Sequence, residues 1–83
     1  MSETPTGLQQ SLTHRVAAEV RAEVARQNVT QDYLAQILGV AQPNVSRRLT
    51  GKQPFDTDEL DKLAAAFGIP VDRFLTFPAP VTA

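Results

Sequence analysis

The sequence predicts an all-α fold, a compact five-helix bundle in which the second and third helices are short and meet at a tight turn. Three observations support this prediction. Leucine and valine recur every four residues between Leu8 and Val24, as they do along one face of a helix. Thr30 and Asp56 stand where helices would begin, and Gly39 stands where one would end. A chain of 83 residues is long enough for one domain with a small core.

The first helix is predicted to begin at Leu8 and to end near Gln27–Asn28. Alanines between its apolar positions favour it by their helix propensity. The residues before it are mostly small and polar, which is typical of a loose end. The chain therefore divides into a flexible N-terminus at residues 1–7, a folded domain at 8–76, and a flexible C-terminal tail or start of a linker at 77–83. The apolar stripe of the first helix consists of Leu8, Leu12, Val16, Val20 and Val24.

The second and third helices are predicted on either side of Gly39. Thr30 is a suitable N-cap for the second helix, because its hydroxyl can accept a bond from a free backbone N–H of the first turn. Glycine readily adopts the left-handed conformation in which helices commonly end. Pro43 fits the first turn of the third helix, where its missing N–H would have no partner. The side chains expected to face the core are Leu34, Ala35, Leu38, Val45 and Leu49.

The fourth helix is predicted to begin after Asp56 and to end at Gly68. Asp56 as N-cap and Glu59 at the third helical position form an acidic version of the capping box. We interpret the acidic cluster Asp56–Asp61 as caps and solvated surface, placed at the positive end of the helix dipole. A short fifth helix is predicted to begin at Pro70. The core residues expected from these two helices are Leu60, Leu63, Ala64, Phe67 and Phe74.

The composition argues against an enzyme, a metal site and a membrane protein. The chain has no cysteine, a single histidine and no glycine-rich phosphate loop. We therefore predict no enzymatic activity, no cofactor and no metal. No apolar run approaches the roughly 20 residues needed to cross a bilayer, and the N-terminus lacks the basic start and apolar stretch of a signal peptide. A cytoplasmic protein is the simplest interpretation.

The charge of the chain is small overall but unevenly distributed. Its formal net charge is −1, which by itself is not typical of a nucleic-acid-binding protein. Between Gln42 and Gln53, however, there are three positive residues and no acid, whereas Asp56–Asp61 holds four acids and no base. The positive charge is local, so we expect docking through one face and weak non-specific DNA affinity of a monomer.

The outer face of the third helix has the side chains that DNA recognition requires. Glutamine can bond adenine with two hydrogen bonds in the major groove, and arginine can do the same to guanine. Asn44 and Arg48 are predicted to lie at the side of this face, where a sugar–phosphate strand would run. Lys52 just past the helix, and Gln31 at the start of the second helix, are placed for phosphate contact. At about 100° per residue, the outward arc consists of Gln42, Pro43, Ser46 and Arg47.

On these residues the chain resembles the helix-turn-helix domains of the lambda-repressor and Cro type, also called XRE-like. The resemblance covers about Val16 to Leu75, and the joint spacing of Ala35, Gly39 and Val45 is its most specific part. The matching segments are Thr30-Gln31, Leu34-Ala35, Leu38-Gly39-Val40, Gln42 through Arg47, Gly51-Lys52, and Leu60 through Ile69.

The resemblance implies a five-helix domain that usually binds a double-stranded DNA operator as a homodimer. It implies base reading by Gln42, Pro43, Ser46 and Arg47, and phosphate contacts by Gln31, Asn44, Thr50 and Lys52.

Three positions depart from the pattern of that family. Ala41 stands where a serine cap is common, and Tyr33 stands where an acid is common. Arg48 stands where the family often has an apolar residue, and we expect Leu49 to take over the burial. That would leave Arg48 free to reach a phosphate or a base.

The function that we favour from the sequence is a sequence-specific DNA-binding transcription regulator, and within that class a repressor that inserts its third helix into the major groove. A phage or prophage immunity repressor and a small bacterial regulator both fit. The alternative is a protein-interaction module on the same scaffold, such as an antitoxin-like or regulator-binding domain. A fragment of a longer repressor is compatible with the first interpretation.

Overall fold

A computed structural model describes residues 11–77; residues 1–10, with the predicted helix start at Leu8, and residues 78–83 of the predicted tail lie outside the described part. The all-α class is confirmed over the described residues, and the predicted fifth helix is a tighter 3₁₀ helix. None of these helices is long and apolar enough to cross a membrane. In chain order the elements are α1 (Leu12–Gln27), α2 (Gln31–Leu38), α3 (Gln42–Leu49), α4 (Thr57–Phe67) and the 3₁₀ helix (Val71–Leu75).

The ends of α2 and α4 follow the predicted local signals. The hydroxyl of Thr30 accepts a bond from the N–H of Tyr33 at 3.1 Å, which caps α2. Gly39 ends α2 in the left-handed region, with a φ of 70°. At the start of α4, Asp56 accepts from the N–H of Glu59 at 2.7 Å, and Glu59 accepts from the N–H of Asp56 at 3.1 Å. The predicted capping box is therefore complete.

Helix α1 buries the central part of its apolar stripe. Val16 and Val20 are buried in the core. Leu12, the first residue of α1, is 52% exposed, so this position of the predicted stripe faces the solvent. The helix ends at Gln27, as predicted, and Asn28 follows it in the left-handed region with a φ of 57°.

One hydrophobic core joins all of these elements. Helix α3 packs against α1 and α2, and α2 also packs against α4. The 3₁₀ helix packs against both α1 and α4, and its Phe74 is fully buried. Helix α3 is thus supported from two sides by the bundle. The largest fully buried side chains are Phe74, Leu34, Leu63, Val20 and Val45.

Glu23 is a buried acid that joins α1 to the 3₁₀ helix. Its side chain is 3% exposed. Its carboxylate accepts bonds from Gln27 at 2.8 Å and Arg26 at 3.0 Å, both on α1, and from Arg73 at 3.4 Å. These donors, the amide of Gln27 foremost, lower the pKa of Glu23 below its ordinary value, against the opposing effect of burial. The charged form of Glu23 therefore stabilises the fold.

We expect Glu23→Gln to lower the free energy of unfolding at neutral pH, by an amount that shrinks on acidification. Because the pKa of Glu23 is lower in the folded state, its stabilisation is present above the pKa of the unfolded chain and is lost as the pH falls through the folded value. Urea denaturation at neutral pH, and at successive pH values below 4.5, measures the effect. Glu19→Gln, on the same helix, is the control. A difference between wild type and Glu23→Gln that does not change with pH would contradict this expectation.

Candidate nucleic-acid interface

Helix α3 turns one side to the core and the opposite side to the solvent. Val45 is fully buried and Leu49 is 6% exposed, so these two side chains anchor the helix. The structure leaves the residues predicted for base reading accessible at the surface. Arg47 lies almost opposite Val45 on the helical wheel, whereas Gln42 is exposed at the first residue of the helix. Whether they contact DNA stays a prediction. The exposed residues of this outer face are Gln42, Pro43, Asn44 and Arg47, with Ser46 half-buried.

The turn between α2 and α3 is held by backbone bonds, but the start of α3 has no side-chain cap. The N–H groups of Gly39 and Val40 both donate to the carbonyl of Ala35, at 2.8 and 3.2 Å. Ala41 is the N-cap of α3, and its methyl group makes no capping hydrogen bond. Because an uncapped helix of eight residues is unstable in isolation, α3 depends on the surrounding elements for its position.

The predicted phosphate-binding residues next to α3 differ in how accessible they are. Lys52 is exposed in the loop that follows α3, and Gln31 is half-buried at the first residue of α2. Thr50 is exposed, but its hydroxyl donates to the carbonyls of Ser46 at 3.0 Å and Arg47 at 3.2 Å. Thr50 would have to break these bonds to donate to a phosphate, whereas Lys52 needs no such rearrangement.

The prediction that Arg48 is free to reach a phosphate or a base is wrong. Arg48 is 8% exposed. Its Nε donates to Glu59 at 3.0 Å, and its Nη1 donates to the carbonyl of Asn44, also at 3.0 Å. On the helical wheel Arg48 lies only about 60° from Val45, which places it at the buried side of α3. A carboxylate of α4 meets it there, so the guanidinium remains inside.

Glu59 caps α4 as predicted, but the prediction that the acidic cluster is solvated is wrong for this residue, which is 9% exposed and paired with Arg48. The other three acids of the cluster are exposed, as expected; they are Asp56, Asp58 and Asp61. Since the buried pair is neutral as a unit, the exposed positive charge of α3 and its following loop comes from Arg47 and Lys52. The basic face is narrower than the sequence suggests.

Two residues of α1 contact the C-terminal end of α3 and were missed by the sequence analysis. Nη1 of Arg21 donates to the carbonyl of Leu49, the last residue of α3. The ring of His14 lies against Gly51, where an added Cβ would come within 2.5 Å of the imidazole. Gly51 also has a φ of 81°, so a side chain there would be strained as well as crowded. Both contacts join residues that are far apart in the sequence, so no local sequence pattern predicts them.

The helix-turn-helix family model matches residues 20–74, more than half of the chain, including α2, the turn and α3. The chain belongs to this family. The match is of the XRE, lambda-repressor-like type, whose members are DNA-binding transcription regulators rather than enzymes. This helix-turn-helix protein is accordingly placed in that class of regulators.

Solved structures of two transcription regulators share the fold of this helix-turn-helix protein. The crystal structure of the clp gene regulator ClgR from C. glutamicum superposes with a TM-score of 0.74 at 24% identity, over 81% of this chain and 87% of that chain. The crystal structure of the hypothetical transcription factor NHTF from Neisseria gives 0.73 at 23% identity, over 94% and 87%. No curated protein matches the sequence. At these identities the two structures establish the fold alone.

Proposed function

We propose that this protein is a sequence-specific transcription repressor that binds a double-stranded DNA operator as a homodimer, with α3 in the major groove. The exposed face of α3 carries the proposal: Gln42 and Arg47 point outward while the other side of the helix is anchored in the core. Glutamine and arginine are the side chains that bond adenine and guanine bidentately in the major groove. The family match supports DNA binding as the underlying activity.

The roles of the side chains follow from their positions on α3 and around it. Gln42 and Arg47 read base edges, and Pro43 and Ser46 make close contacts beside them. Phosphates on either side of the groove set the register of the protein on the duplex. The groups assigned to phosphate are the exposed side chains of Asn44 and Lys52, together with Gln31 at the start of α2 and, after a rearrangement, Thr50.

Repression would follow from occupancy of a promoter. A homodimer places two copies of α3 in successive major grooves on one side of the duplex, about one helical turn apart. A polymerase cannot then use the same DNA. Such a protein acts where bacterial or phage DNA is transcribed, in the cytoplasm.

Selection of bound duplexes from a random pool tests this proposal, followed by fluorescence anisotropy on the selected duplex and a scrambled one. We expect the selected duplex to bind more tightly by a factor of about 10³ or more. Because the exposed cations of α3 and its loop are few, we expect the slope of log K against log salt to be shallow, about −1 to −2 per protomer.

No enrichment of any sequence, together with no retention on DNA at low salt, would contradict the proposal. Analytical ultracentrifugation of the complex with the selected duplex gives its stoichiometry. One protomer per duplex would contradict the homodimer part of the proposal while leaving the recognition part intact.

A second candidate function, a protein-interaction module, is favoured by an apolar groove between the N-terminal end of α1, the loop before α4 and the 3₁₀ helix. Leu12 and Leu75 stand at this groove with 52% and 47% of their surfaces exposed. Exposed apolar side chains that adjoin one another are typical of protein contacts. A stable protein partner in a pull-down, combined with the absence of DNA binding at every salt concentration, would favour this function over the first.

A further inference from the structure

The ion pair between Arg48 and Glu59 differs from the other two ion pairs of the described residues in its burial. Its side chains are 10% and 11% exposed, whereas the arginine partners of Glu23 are 53% and 47% exposed. An ion pair at this depth contributes little net stability, because both charges lose their water. Its location, between α3 and the first turn of α4, points to a role in orienting α3 relative to α4.

The pair belongs to a continuous set of hydrogen bonds that links two helices. Oε1 of Glu59 accepts from Nε of Arg48 at 3.0 Å and also from the backbone N–H of Asp56 at 3.1 Å. Nη1 of Arg48 then donates to the carbonyl of Asn44 at 3.0 Å. A single carboxylate oxygen thus completes the capping box of α4 and holds the middle of α3.

Helix α3 needs a directional restraint of this kind. It has no side-chain cap at Ala41, and the burial of Val45 and Leu49 is a non-directional force that tolerates rotation of a short helix about its axis. Hydrogen bonds to a charged group are directional and comparatively strong. Arg21 donates to the carbonyl at the end of α3, and the ion pair is the directional contact between the middle of α3 and α4.

We propose that Arg48 and Glu59 are positioning residues for DNA recognition, which set the rotation of α3 without contacting DNA themselves. This inference rests on the proposed function. Because the pair is neutral and buried, its loss should change the affinity for the selected duplex and leave the salt dependence unchanged. A phosphate contact would do the opposite and reduce the salt slope by about one when it is removed.

The test begins with Glu59→Gln, which retains an amide oxygen for the capping box while removing the charge. We expect the affinity for the selected duplex to fall by about tenfold or more. We expect affinity for the scrambled duplex to stay within about twofold, and the salt slope to remain that of wild type. The matched control is Arg73→Met, which breaks a less buried ion pair away from α3. At temperatures where both variants are folded by circular dichroism, the control should bind the selected duplex as wild type does.

The double variant Arg48→Leu, Glu59→Gln separates positioning from simple stability. Glu59→Gln alone leaves the charge of Arg48 buried without a partner and should lower the free energy of unfolding. The double variant removes both charges and places an apolar side chain at the buried site, so we expect its free energy of unfolding to return toward that of wild type. The affinity for the selected duplex should remain reduced, because no directional bond then joins α3 to α4. Recovery of stability and affinity together would overturn the inference. A steeper salt slope in Glu59→Gln would also overturn it, since Arg48 would then be reaching a phosphate.

Amide hydrogen exchange separates failure of this inference from failure of the proposed function. If the wild type prefers no duplex, the proposed function fails, but exchange of the α3 amides still reports how firmly the helix is held. We expect these amides to exchange about tenfold faster in Glu59→Gln than in Arg73→Met. Equal exchange in the two variants would overturn the positioning role whatever the DNA result.

Discussion

Replacing Phe74 with alanine is expected to lower the free energy of unfolding by about 3–5 kcal/mol. Phe74 is fully buried on the 3₁₀ helix, which packs against both α1 and α4. The substitution removes a large apolar side chain and leaves a cavity that the surrounding helices can only partly fill. A small domain has only about 5–15 kcal/mol of stability in total, so this variant should be close to the limit of folding. Urea denaturation followed by circular dichroism measures the change.

The neighbouring residue provides the control. Leu75 is 47% exposed, and we expect Leu75→Ala to cost less than about 1 kcal/mol. Similar losses for the two variants would show that the 3₁₀ helix is not anchored through Phe74 and that the core ends at α4. A large loss for Phe74→Ala alone would establish that the domain requires residues up to the 3₁₀ helix.

The local signals of the fold could be predicted from the sequence because each depends on neighbouring residues. The cap of α2 at Thr30, the capping box of Asp56 and Glu59, and the left-handed Gly39 all depend on backbone groups within a few positions along the chain. The type of the last helix could not be predicted in the same way. Phe74 and Leu75 lie three and four residues after Val71 in a segment of only five residues, a pattern that fits a 3₁₀ helix as well as an α-helix.

The candidate interface could be predicted in its composition but not in its limits. The outward position of Arg47 follows from the burial of Val45, which lies almost opposite it on the same helix. Gln42 is exposed at the first residue of α3. The inward position of Arg48 depends on Glu59, eleven residues further along the chain. The usual preference of arginine for solvent predicts the opposite position. The helical wheel places Arg48 beside Val45, but burial of its charge is physically possible only because the carboxylate of Glu59 meets it there.

That distinction bears on which arginine the DNA would contact. We expect the double variant Gln42→Ala, Arg47→Ala to abolish preference for the selected duplex over the scrambled one. Each lost bidentate contact should cost about 1–3 kcal/mol per half-site, and two such losses add when the contacts are independent. Anisotropy titrations on both duplexes measure the ratio of the two affinities, which is the quantity that base reading determines.

Two lysine variants make this result specific to base reading. Lys52→Ala should weaken binding to both duplexes alike and reduce the salt slope by about one, because a phosphate contact carries no sequence information. Lys62→Ala removes an exposed cation of α4 and should change neither affinity. If the double variant keeps the preference of the wild type, α3 does not read the bases. If Lys62→Ala matches Lys52→Ala, the protein binds DNA through its general charge, and the outward face of α3 has no special role in recognition.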